Sequence, residues 1–168
     1  MTVGRTVLDD GRTELEFLCP DEAEEITGIA FPLFREVYRE TPTEIVEAFL
    51  QKTQTPGSIR RQMGSGTIYA FIDYDGKRAG YVAYEACSEG MRLSKLYLFE
   101  EYRGNGIGGR ILRFVEDEAR KSGFGTVRLE VNEINPSARE FYRSHGYSVE
   151  ERIDFMRVVM RKRLDDGM

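Results

Sequence analysis

The spacing of apolar residues changes several times along the chain. Glu14-Leu15-Glu16-Phe17-Leu18 alternates as a half-buried strand does, after a polar opening at residues 2–12 in which Asp9-Asp10-Gly11 reads as a turn. Pro20-Asp21 starts a helix whose Ile26, Ile29, Ala30, Leu33, Phe34 and Val37 share one face. Pro32 predicts a break or kink into two helical pieces, because proline lacks the amide hydrogen and crowds the preceding turn. Thr43, with Glu44 and Glu47 behind it, predicts the cap of a second amphipathic helix through Ile45, Val46, Phe49 and Leu50. Residues 51–57 read as a loop and residues 58–63 as another short helix.

Beyond Gly64-Ser65-Gly66 the period falls to two. Residues 67–72 and 79–86 are β-rich runs joined by Tyr74-Asp75-Gly76-Lys77, a hairpin signal, and residues 87–90 turn into a strand carrying Leu93, Leu96, Tyr97 and Leu98. These three strands form an antiparallel meander. Residues 99–102 link it to Gly104, Gly106, Gly108 and Gly109, after which Ile111, Leu112, Phe114, Val115 and Ala119 recur at helical spacing up to a stop at Gly123. Residues 127–131 are the next strand, placed parallel to the Leu93 strand by a right-handed crossover. Pro136 sits at the first turn of a helix over Ser137 to Ser144 that Gly146 ends, and residues 147–150 and 154–161 form an antiparallel ending. The elements describe one α/β domain over residues 1–168, with no repeat and no dividing linker.

The glycines at 104–109 are the first candidate for chemistry. Four glycines in six residues let successive backbone N–H groups turn toward one point, and the helix that follows adds the positive end of its dipole. Such a concavity suits a phosphate or pyrophosphate. It is not a Walker loop, because Arg110 and Ile111 stand where Lys and a magnesium-binding hydroxyl are needed. Gly104, Gly106 and Gly109 satisfy the dinucleotide pattern G-x-G-x-x-G, with Glu130 near the expected acidic position. The context argues against it: a polar and aromatic link separates strand from glycines, and too little chain follows for a doubly wound sheet.

Composition narrows the partners. The 168 residues carry a net charge of −5, which disfavours a nucleic-acid partner and agrees with a cationic substrate. Cys19 and Cys87 form no C-x-x-C pair and no signal peptide is present, so a reduced, cytoplasmic protein is expected. No apolar run is long enough to span a membrane. With one histidine and two distant cysteines, no metal site is expected.

Arg103-x-x-Gly106-x-Gly108, after Leu96-Tyr97-Leu98-Phe99-Glu100-Glu101-Tyr102, resembles the acyl-CoA loop R/Q-x-x-G-x-G/A of the GCN5-related N-acetyltransferases. Asn135-Pro136-Ser137-Ala138-Arg139-Glu140-Phe141-Tyr142, running on to Gly146-Tyr147, resembles the second signature of the same superfamily, N-x-x-A-x-x-F-Y-x-x-x-G-F/Y. Residues 13–162 carry the resemblance, and residues 58–63 with Gly80-Tyr81-Val82-Ala83-Tyr84 look like its small polyamine-type members. The resemblance implies a single-domain GNAT fold, an α/β architecture with a mixed, mostly antiparallel sheet of six to seven strands and helices on both faces.

It also implies a reaction: an amine attacks the thioester of acetyl-CoA directly, in a ternary complex and without a metal. By resemblance the amides of Arg103, Gly104, Asn105, Gly106, Ile107, Gly108 and Gly109 take the pyrophosphate, and Leu96, Tyr97 and Leu98 pair with the pantetheine arm. The backbone N–H near Leu98 then polarises the thioester carbonyl, an effect of a few kcal/mol in such sites. Asn135 helps hold the arm and Arg139 approaches a phosphate. Tyr142 occupies the acid position, where a phenol can protonate the departing sulfur while the C–S bond breaks. Glu85, Glu100 and Glu130 are candidates for the base, with Glu100 placed first. The acceptor is a small amine such as a polyamine, or a protein N-terminus or lysine, and homodimers are common in the family. A non-catalytic acyl-CoA-binding module and a nucleotide-cofactor oxidoreductase are the competing classes. Blander roles stand beside these: Tyr142 packed under the sheet, His145 as a cation at a helix C-terminus, Tyr69, Phe71, Tyr81 and Tyr84 as sheet-face residues, Cys87 as a small core residue, and Arg157, Arg161, Lys162 and Arg163 as a solvated strand end.

Overall fold

The computed structural model describes residues 4–133 and 135–164, so Thr2 and Val3 of the expected polar opening lie outside it. Eight strands and five helices follow in the order β1 (Gly4–Val7), β2 (Thr13–Phe17), α1 (Ala23–Val37), α2 (Thr43–Thr53), α3 (Pro56–Gly64), β3 (Ile68–Tyr74), β4 (Lys77–Cys87), β5 (Gly90–Leu98), α4 (Ile107–Lys121), β6 (Thr126–Asn132), α5 (Pro136–Ser144), β7 (Ser148–Arg152) and β8 (Arg157–Arg163). The strands make one mixed sheet in the order β1-β2-β3-β4-β5-β6-β8-β7. Its parallel pair is β5 with β6, in register at Met91↔Val127, Arg92↔Arg128 and Leu93↔Leu129, as the crossover predicts. β1/β2, β2/β3, β6/β8 and β7/β8 are antiparallel. The sheet has one strand more than expected. β1 is the addition: its sequence, GRTV, is short, polar and largely exposed, so it carries no alternation to read.

Two compact units make up the chain, one from residues up to Ala83 together with Lys95–Arg110, the other from Tyr84–Ser94 together with residues from Ile111 onward. In the first, α1 buries Ala23, Ile26, Ala30, Leu33 and Phe34 in a core shared with Val46, Leu50, Ile59, Tyr69, Phe71, Tyr81 and Ala83. Pro32 does not break α1, which runs unbroken through Val37. The proline sits on the exposed side, where carbonyls tilt out to water, while Leu33 and Phe34 on the other side are fully buried. Burying such side chains contributes about 1.5–3 kcal/mol each, enough to offset a lost helical hydrogen bond. Pro42, not Thr43, is the N-cap of α2, and no side chain caps that end. Residues 51–57 are mostly helical: α2 runs to Thr53 and α3 begins at Pro56, where the Thr55 hydroxyl accepts the Ser58 amide at 3.2 Å. The β3–β4 turn is as read, with Asp75 at φ 52° and Gly76 at φ 78°, the paired positive angles of a type I′ hairpin.

In the second unit, Ile111, Leu112, Val115 and Ala119 of α4 are buried, as are Val127, Leu129 and Val131 of β6 and Val158 and Met160 of β8. The strand end read as solvated is only partly so. Lys162 reaches the buried carboxylate of Glu116 at 3.1 Å, and the Tyr147 hydroxyl donates to the same group at 2.9 Å. Tyr69, Phe71, Tyr81 and Tyr84 are buried, whereas Cys87, near the end of β4, is only half-buried. Among the described residues no helix is long and apolar enough to cross a membrane.

Candidate active site

The glycine loop is built from the end of β5. Phe99 leaves the strand with its amide on the Ala79 carbonyl at 2.9 Å, a 3₁₀ turn follows at Glu100–Tyr102, and the exposed Arg103 donates back to the Leu98 carbonyl at 3.0 Å. The Asn105 side-chain amide donates to the Tyr102 carbonyl at 3.0 Å. Gly104 and Gly106 then adopt φ of 82° and 74°, where a side chain would be strained. The Arg110 amide bonds the Gly106 carbonyl at 3.2 Å, which makes Gly106 the cap of α4. The amides of Ile107, Gly108 and Gly109 therefore precede the first intrahelical bond, and helix geometry gives them no carbonyl of their own. Ile107 and Gly109 are buried and Gly108 half-buried, while Gly104, Asn105 and Gly106 are exposed; exposed positive-φ glycines leading into a helix N-terminus fit a diphosphate.

Gly80, which lies outside the two signatures, fixes how closely β4 packs on β5. A Cβ there would lie 1.9 Å from the Tyr97 carbonyl oxygen and 2.9 Å from the Leu98 Cα, so only glycine lets β4 pass this close to the part of β5 that precedes the loop. The Tyr97 ring packs against Phe34 at 4.5 Å, and its hydroxyl lies 3.1 Å from that of Tyr38. Glu100 is exposed and paired with Arg39 at 3.0 Å, and its backbone amide donates to the Glu36 carboxylate at 2.9 Å. The hydrogen bond from Arg39 holds the Glu100 carboxyl below the usual carboxylate range.

The second signature lies wholly in the other unit. Asn135 caps α5 by its position, though its side chain accepts from the Ser137 hydroxyl at 2.7 Å instead of from a backbone amide of the helix. Arg139 is ion-paired with Glu133, which also holds Arg152 at 2.6 Å. Tyr142 is half-buried, with its ring edge-on to those of Phe141 at 5.1 Å and Tyr147 at 5.8 Å. Gly146, at φ 94°, lets the Tyr147 amide return to the Tyr142 carbonyl at 3.1 Å, which fixes the last turn beneath that ring. His145 closes the helix through Nδ1 on the Phe141 carbonyl at 2.8 Å, in keeping with its position as a C-terminal residue. Of the other carboxylates considered, Glu130 is paired with Arg92 at 3.2 Å and Arg157 at 3.3 Å, and Glu85 is half-buried near the end of β4.

Among the described residues the architecture is a mixed sheet whose parallel strands β5 and β6 are joined through the glycine-led helix α4. The same fold is found in the PaiA N-acetyltransferase of Thermoplasma acidophilum, solved in complex with coenzyme A, which superposes with a TM-score of 0.78 over 90% of this chain and 98% of that one at 22% identity. The model of the acetyltransferase (GNAT) family matches residues 24–147. The chain belongs to that family and is an acetyl-CoA-dependent N-acetyltransferase. Among named relatives, the streptothricin acetyltransferase of Streptomyces lavendulae is 29% identical over 74% of this chain and 66% of its own length. An N-acetyltransferase encoded in the pepI 3′ region of Lactobacillus delbrueckii subsp. lactis is 25% identical over 73% of this chain and 76% of its own.

Proposed function

We propose that this enzyme acetylates a primary amine of a small, cationic molecule, a polyamine or a comparable amine, by direct attack in a ternary complex. The observation that carries the reading is the pair of positive-φ glycines, Gly104 and Gly106, leading into the N-terminus of α4, whose first intrahelical bond is that of the Arg110 amide to the Gly106 carbonyl. In this reading residues 103–109 hold the pyrophosphate, Leu96, Tyr97 and Leu98 flank the pantetheine arm, Asn135 steadies it, and Arg139 exchanges Glu133 for a phosphate. Acetyl-CoA supplies an activated acetyl group on a thioester. Tyr142 donates the proton that the departing sulfur needs, which requires a phenol within hydrogen-bond reach of it. Glu100 receives the proton of the incoming ammonium. Its pairing with Arg39 makes it a weak base, so it serves as a relay to water and its loss should cost less than that of Tyr142. Residues 1–168 work as one acetyltransferase domain. The small-amine acceptor is supported by the net charge of −5 and by the relative named for streptothricin.

The test is a panel of polyamines, aminoglycoside-type amines and peptide amines, assayed by release of the CoA thiol. Turnover confined to peptides would overturn the small-amine reading. Tyr142→Phe should lower kcat by about a hundredfold, as removal of a general acid does, with little change in affinity for acetyl-CoA. Full activity in that variant removes Tyr142 from the acid role.

A further inference from the structure

We propose that Arg110 is a positioning residue for the cofactor loop, and that the N-terminal hairpin exists in part to hold it. This rests on the reading of residues 103–109 as the pyrophosphate cradle. The Arg110 guanidinium reaches back from the first turn of α4 and donates through Nη1 to the carbonyls of Asn105 at 3.4 Å and Gly106 at 3.3 Å. Peptide planarity gives these two long bonds their meaning. In a trans peptide the carbonyl and the next amide point in opposite directions, so holding the Asn105 and Gly106 oxygens on one side turns the Gly106 and Ile107 N–H groups to the other. The arginine thus aims the amides without touching the ligand.

The other edge of the guanidinium is anchored. Nε donates to Asp9 at 3.2 Å and lies 3.4 Å from Asp10, both from the turn between β1 and β2, about a hundred residues earlier in the chain. Asp10 is itself fixed: its carboxylate takes the amides of Arg12 at 3.0 Å and Thr13 at 2.9 Å and the Thr13 hydroxyl at 2.8 Å, and only 11% of its side chain is exposed. Two carboxylates against one guanidinium leave no surplus positive charge for a phosphate. The contribution of Arg110 is therefore directional, and it needs the planar fork that lysine lacks. Gly106 fits the same arrangement, since a Cβ there would stand 2.7 Å from Arg110 Nη1.

The experiment compares the wild-type enzyme with Arg110→Met, Arg110→Lys and Asp9→Asn, by calorimetric titration with acetyl-CoA, steady-state kinetics and thermal melting. Both Arg110 variants should raise Kd and KM for acetyl-CoA about tenfold, the loss of charge-assisted hydrogen bonds, with kcat changing far less than KM. Asp9→Asn should weaken binding about twofold, since Asp10 still holds the arginine. Wild-type affinity in Arg110→Lys would show that charge alone suffices and would overturn the proposal. So would tighter binding in Asp9→Asn, the result expected if a freed arginine bound phosphate directly. Should Arg110→Met fail to fold, the other two variants decide. Failure of the underlying cradle reading looks different: the wild-type enzyme itself would not bind acetyl-CoA.

Discussion

Gly104 and Gly106 precede α4 with φ of 82° and 74°, and Gly123 follows it with φ of 82°. By residue type and backbone angle the two ends are alike, yet their hydrogen bonds differ. At the C-terminal end the Phe124 amide returns to the Ala119 carbonyl at 2.9 Å and the Gly123 amide to Arg120 at 3.0 Å, so the last carbonyls are taken by the chain itself. At the N-terminal end the bond from the Arg110 amide to Gly106 leaves three earlier amides ahead of it. The C-terminal glycine finishes the helix; the N-terminal ones lead into the amides proposed to hold the diphosphate. A glycine therefore marks where a chain turns, and only an account of where the surrounding polar groups go tells a stop from a site.

Three substitutions test the difference between the two ends. The largest effect is expected at Gly106→Val, where a β-branched residue meets a positive φ and displaces the Arg110 side chain. Strain of about 1–2 kcal/mol should weaken acetyl-CoA binding by about five- to thirtyfold in a calorimetric titration. Unchanged affinity would mean that the two ends of α4 do not differ in function. Next comes Gly123→Ala, for which no atom lies within 4 Å of the added Cβ. Here the strain should appear as about 1 kcal/mol of lost stability in denaturant unfolding, with acetyl-CoA affinity kept. The smallest effect belongs to Arg120→Ala, which removes an exposed partner of Asp117 at 2.9 Å in the last turn. It should cost about 0.3–0.5 kcal/mol at low salt and less at high salt; a loss several times larger would show that the C-terminal end depends on charge.

Much of the candidate site was legible because its signals are local. Asp75-Gly76, Gly123 and Gly146 each sit where a positive φ was needed, and the order strand, glycines, helix at 93–121 follows from spacing alone. The corrections have physical causes. Pro32 was overruled by the burial of Leu33 and Phe34, and Thr43 lost the cap of α2 to the residue before it. The packing role of Gly80 was not readable from its strand, since it lies in the backbone of Tyr97 and Leu98 seventeen and eighteen positions away. Glu100 was readable as a carboxylate near a strand end, but not as the partner of Arg39, which weakens it as a base.

The alternation of strands and helices and the positive-φ turns were readable from the chain, because each depends on backbone preferences over a few neighbouring residues, and the two signatures were readable as a resemblance to the GCN5-related N-acetyltransferases. The tertiary structure alone decided that a polar segment such as Gly4–Val7 becomes an edge strand and that β8 lies between β6 and β7. It alone brought Asp9 and Asp10 to Arg110. Those outcomes arise from pairing between distant segments, and distant pairing leaves no period in the chain for a local pattern to show.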